Sequence, residues 1–129
     1  MDGDFALDTS IVIQYFNRHS GICSSIEQAA CIVVTNVVIG ELCFGAYKSA
    51  KVIANLARIE SFKSRVKILN CDAETANIYG KIKSLLSEKG RPIPDNDIWI
   101  AAMAMQHDLT LVSRDAHFNE VEGLKLVVW

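Results

Sequence analysis

Residues 4–13 read DFALDTSIVI, and the change of character at Asp8 decides the fold class. Phe5-Ala6-Leu7 is a short apolar run of the kind that fills a buried strand. Asp8-Thr9-Ser10 then offers three side chains able to cap a helix, and residues 11–17 follow with apolar positions at helical spacing. A buried strand that runs straight into a capped helix is the opening of a strand–helix–strand unit.

The same alternation recurs downstream. A short helix is expected over 24–30 after the break at Gly21, then a β-rich strand over 31–34, CIVV. Thr35 and Asn36 offer caps for a helix reaching Tyr47, a second helix covers 50–64, and 66–69 is a third strand. Asp72 caps a long amphipathic helix over 73–89 that Gly90 ends, while Pro92 and Pro94 hold 90–96 extended. Residues 97–106 form a helix that is apolar nearly all round, 110–113 a fourth strand and 124–128 a fifth. Residues 1–129 therefore read as a single α/β domain with a mostly parallel sheet of about five strands and helices on both faces.

Half of the 129 residues are hydrophobic, enough for one sizeable core. The net charge of −2 and pI near 5.9 argue against coating a polyanion by bulk charge. Carboxylates gathered around a cation would nevertheless count against that sum while being offset locally. Cys23, Cys31, Cys43 and Cys71 show no C-x-x-C spacing and lie in apolar runs, so they read as reduced core thiols. The N-terminal MDGDFALDT has neither the basic nor the apolar segment of a signal peptide. The longest apolar run, 98–105, falls far short of the ~20 residues that span a bilayer. A cytoplasmic protein with no membrane contact is expected.

In parallel sheets the functional crevice lies beyond the carboxyl ends of the strands. Asp8 ends the first strand, and Asp115 lies two residues past the fourth. Asp97 opens the helix that feeds the fourth strand, so it points back to the same edge. Glu41 lies in the helix after the second strand, on a face with Val37, Val38 and Gly45, where Gly45 would permit close backbone approach. One step is strained: the helix over 73–89 should run away from this edge, and seven extended residues cover only ~20 Å against its ~25 Å. An oblique helix would close that gap.

Each acid also has a plain structural reading. Asp8 is a good cap, Asp97 suits a helix N-terminus, and Asp115 suits a turn. Glu41 is harder to dismiss, because an unpaired carboxylate in an apolar helix is costly. Together at one edge they would repel one another unless a cation lay among them. Magnesium or manganese, which favour oxygen ligands, would resolve that conflict and allow hydrolysis by metal-activated water.

ALDTSIVI, VVIGELCFGA, GRPIPDNDIWIAAMA and LTLVSRDAHFNEV occur in that order, followed by a closing apolar strand. In these motifs the chain resembles the PIN-domain nucleases, and within them the VapC toxins of bacterial toxin–antitoxin pairs, nearly end to end. The resemblance implies a PIN-like three-layer α/β/α fold and a magnesium-dependent endoribonuclease (manganese substituting) acting on tRNA or rRNA. It implies Asp8, Glu41, Asp97 and Asp115 as catalytic acids, with Asp8 and Asp97 touching the metal. Thr9, Asn96 and Ser113 fall at supporting positions. Asp95 stands where many relatives have proline and adds a spare carboxylate.

Implied partners are RNA, a VapB-like antitoxin and a second copy of the chain. The two helices over 36–64 are expected to make the protein contacts, since their apolar content exceeds what one sheet face can cover. Arg91, Arg114, Lys48 and Lys51 are candidate RNA phosphate contacts. His117, beside Asp115, is read as local packing or capping, with a role near the substrate as the lesser alternative; His107 is assigned to the opposite edge and Trp99 to the core. Rival readings are an RNA-processing PIN nuclease without an antitoxin and a catalytically silent PIN-like binding module. An aspartate-phosphorylated signalling domain is disfavoured by the lack of a conspicuous late-strand lysine.

Overall fold

The computed structural model describes residues 4–129; residues 1–3, the start of the segment read as lacking a leader, lie outside the described residues. Five short strands, β1 (Asp4–Leu7), β2 (Cys31–Thr35), β3 (Lys67–Leu69), β4 (Thr110–Val112) and β5 (Leu126–Val127), form one sheet in the order β3-β2-β1-β4-β5. Every pairing is parallel. The chain starts in the middle, builds outward to β3, then crosses over to β4 and β5. The order reverses between β1 and β4, and that switch point is where a crevice opens at the carboxyl edge.

The helices are α1 (Thr9–Phe16), α2 (Ser20–Gln28), α3 (Asn36–Tyr47), α4 (Val52–Lys63), α5 (Ala73–Glu88) and α6 (Asp95–Gln106), with a 3-10 turn over Ala116–Glu120 after β4. Right-handed crossovers place α1 to α4 over one sheet face and return α5 and α6 over the other. Leu7, Val34, Leu111 and Val112 in the strands are fully buried, as are Ile11, Val38, Phe62, Ile98 and Phe118 between strands and helices. Burying a side chain of this size contributes roughly 1.5–3 kcal/mol, which fixes the sheet as the floor of the site. Among the described residues no helix is long and apolar enough to cross a membrane.

The expected elements are all present, with shifted ends. Helix α1 starts at Thr9 because Asp8 takes the capping role, its Oδ1 accepting the Ile11 N–H at 3.0 Å. Helix α2 starts at Ser20 because His19 Nδ1 accepts the Ile22 N–H at 3.3 Å, so Gly21 sits inside the first turn instead of breaking the chain. Pro94 occupies the cap position of α6, which begins two residues before Asp97. The four cysteines are free and half-buried, so they lie at the margin of the core instead of deep within it.

Helix α5 runs differently from the expectation that it leads away from the site edge. Thr75 near its start donates to Gln106 at the end of α6 (2.5 Å), while Lys83 further along pairs with Asp95 at the start of α6 (2.9 Å). The two helices are therefore antiparallel, and α5 itself carries the chain toward the start of α6. No stretched connector is required. Gly90 at φ +69° ends α5, with the Arg91 N–H returning to the Leu86 carbonyl at 3.0 Å.

Candidate active site

Strand register creates the first contact. Leu7 pairs with Val112, and the Asp8 N–H donates to the Val112 carbonyl at 3.2 Å, so Asp8 and Ser113 leave adjacent strands side by side. Ser113 Oγ donates to Asp8 Oδ2 at 2.5 Å and accepts the Asp115 N–H at 3.0 Å. One hydroxyl thus fixes two acids. Asp8 and Ser113 are both buried.

Glu41 reaches the same place from α3, which Thr35 caps through the Val38 N–H at 3.2 Å. Thr9 Oγ1 donates to Glu41 Oε1 at 2.5 Å, and Asn96 Nδ2 donates to Oε2 at 3.2 Å. The glutamate is thereby held between the starts of α1 and α6. Gly45 does not explain its position: an added Cβ there would meet nothing within 4 Å, so the close approach expected at this glycine is absent.

Asp97 lies in the first turn of α6 with 17% of its side chain exposed. Its Oδ2 is 3.2 Å from His117 Nδ1, which is also 3.2 Å from Asp115 Oδ1. Burial holds the Asp8 carboxyl above the usual carboxylate range; Asp115 and Glu41 add to the rise, against hydrogen bonds from Ser113 and Ile11 that lower it. Asp97 is raised for the same leading reason, with Asp115 and Glu41 again adding and His117 opposing. Four acids from four distant segments therefore share one electrostatic neighbourhood. Asp95 does not join them. It bonds Lys83 and Tyr79 on α5, and these bonds lower its pKa, so the spare carboxylate is directed away.

The supporting positions Thr9, Asn96 and Ser113 all touch an acid. The basic positions are more varied. Lys48 lies over the Phe44 ring at 4.7 Å and lines an open cleft of about 800 Å³ with Glu41, Asn96 and Trp99. Arg114 donates through Nε and Nη2 to the Trp129 carbonyl, so the C-terminal residue already engages its guanidinium. Lys51 and Arg91 are exposed. Trp99, expected in the core, is half-buried and stacks on Tyr79 with ring centroids 4.0 Å apart.

His117 departs from its favoured reading as a packing or capping residue and lies at the site, nearer the lesser alternative. It caps nothing with its ring; its backbone N–H donates to Asp115 Oδ1 at 2.9 Å, and that turn swings the imidazole in beside Asp97. The signal available in sequence was its place two residues after a candidate acid. The donor set fits a hard divalent cation: its acids are oxygen ligands, and two of them are raised by burial and by their neighbours, a conflict that a cation removes.

The PIN domain family model matches residues 5–124. Ribonuclease VapC2 of Haemophilus influenzae is 39% identical over 128 residues, 97% of each chain. The tRNA(fMet)-specific endonuclease VapC of Shigella flexneri is 34% identical over 128 residues, again 97% of each. Among solved structures, DNA-bound VapBC from Salmonella typhimurium has a TM-score of 0.91 at 29% identity, covering 100% of this chain and 99% of that one. VapBC2 from Rickettsia felis, bound to a DNA fragment from its promoter, has a TM-score of 0.90 at 29% identity, covering 98% of each.

Proposed function

From the premise that this chain belongs to the PIN-domain family, we propose that it is a cytoplasmic, magnesium-dependent endoribonuclease, the toxin of a VapBC-type pair, folded as one PIN domain. The observation that carries this reading is the meeting of Asp8, Glu41, Asp97 and Asp115 at the switch point between β1 and β4. Family membership implies dependence on a divalent metal, and the magnesium assignment is ours, from the hardness of the donor set. Transfer RNA is the favoured substrate, by likeness to the tRNA-specific relative. A VapB-like antitoxin and a second copy of the chain are the favoured partners, by likeness to the VapBC complexes.

Asp8 and Asp97 would hold the ion directly, and Glu41 and Asp115 would complete the site. A bound divalent ion supplies Lewis acidity that activates water and offsets charge on the attacked phosphate. The chain's own part is positioning. Ser113 keeps Asp8 from rotating, Thr9 and Asn96 aim Glu41, and the Asp115 turn is tied to the same serine. Lys48, Lys51, Arg91 and the remaining guanidinium N–H groups of Arg114 would steer the RNA backbone without reading sequence.

The test is to incubate purified protein with total RNA, with magnesium or with chelator, and to map the new ends. Cleavage should need magnesium and should fall by at least about 100-fold in Asp8→Asn and in Asp97→Asn, the scale of losing a major transition-state interaction. Undiminished cleavage by both folded variants would remove these acids from the chemistry. RNA retention without cleavage would instead favour a silent binding module.

A further inference from the structure

We propose that His117 is a ligand of the divalent ion, its Nδ1 completing a three-atom donor set with Asp97 and Asp115. The inference rests on the nuclease reading but concerns a residue outside the acidic quartet. The three ligand atoms lie within 4.8 Å of one another, and Nδ1 is 3.2 Å from an oxygen of each carboxylate. A ring nitrogen carries at most one proton, so it can satisfy one of the two carboxylates well and the other poorly. A cation among the three atoms satisfies all of them at once.

The ring is held there by construction. The His117 N–H is bonded to Asp115 Oδ1 at 2.9 Å, and the next residue, Phe118, is 1% exposed and anchors the 3-10 turn in the core. The imidazole itself is 49% exposed in its side chain, so packing does not explain its orientation. One nitrogen donor among oxygens also has a chemical consequence. Imidazole suits cobalt far better than magnesium, which prefers oxygen. His117 should therefore broaden the site toward transition ions.

The probes are Mn2+, Co2+ and Mg2+, each added to the full chain. Electron spin echo spectra of the Mn2+-loaded wild type should show coupling to an imidazole nitrogen that is lost in His117→Ala. By titration calorimetry, His117→Ala should weaken Co2+ binding by about tenfold and Mg2+ binding by less than about threefold. Circular dichroism should show the variant folded, since only an exposed ring is removed. Bound Mn2+ without nitrogen coupling, or an equal or absent loss for the two ions, overturns the His117 assignment and leaves the nuclease reading standing. A wild type that binds no Mn2+ overturns both.

Discussion

Asp8 serves two demands that conflict. It caps α1 and accepts the Ser113 hydroxyl, both of which favour the carboxylate, yet it lies 5% exposed beside other acids. Burial wins, and its folded pKa stands above the ordinary value. An acid raised on folding stabilises the native state fully below its unfolded pKa, and that contribution is lost as pH rises through the folded pKa. In chelator, wild-type stability should therefore decline as pH climbs out of the carboxylate range. Asp8→Asn keeps an oxygen for the cap and removes the buried charge, so at about pH 7 in chelator it should melt no lower than wild type. Added magnesium should then raise the wild-type Tm and leave the variant's nearly unchanged, as selective binding to the folded state requires. A variant melting well below wild type in chelator would mean that the ionised form is the stabilising one. At this scale the convergence of Asp8, Glu41, Asp97 and Asp115 on one sheet edge was legible, because a residue's place relative to a strand end or helix start survives in the sequence. The contact of His117 with Asp97 was not, because it depends on a turn closed by Asp115. Nor was the fate of Asp95, which depends on where Tyr79 and Lys83 fall in the opposing helix.

The α5–α6 hairpin is the element that returns Asp97 to the sheet edge. Its turn needs a backbone with positive φ, and Gly90 at +69° supplies it. An added Cβ there would touch nothing within 4 Å, so Gly90→Ala tests backbone strain alone. The left-handed conformation costs an L-residue about 1–2 kcal/mol, and urea denaturation should show a loss near that size with an unchanged slope. A neutral or stabilised variant would mean that the turn does not set the hairpin. The order of strands and helices was readable from periodicity, and the caps at Thr35 and Asp72 were readable from residue type. The direction of α5 was not. That direction is set by side chains matched across two helices, the Tyr79–Trp99 stack and the Thr75–Gln106 bond, and a pattern of apolar spacing within one helix carries no trace of its partner.

At the scale of the whole molecule, the core is closed but the surface is not evenly polar. On the α3–α4 pair Phe44, Tyr47 and Ile53 are 67%, 66% and 86% exposed. Large apolar groups left in water on neighbouring helices mark a contact surface more readily than a solvated one. The near-neutral net charge does not oppose two copies approaching through it. Because Tyr47 and Ile53 contribute little to the core, the double substitution Tyr47→Glu with Ile53→Glu should alter stability by no more than about 1 kcal/mol. Four like charges brought to a two-fold interface should nonetheless oppose pairing by several kcal/mol. Sedimentation of the wild type should report a dimer, and the double variant should need at least about a hundredfold more protein to associate. If the variant sediments as the wild type does at every concentration, this face is not where two copies of the chain meet.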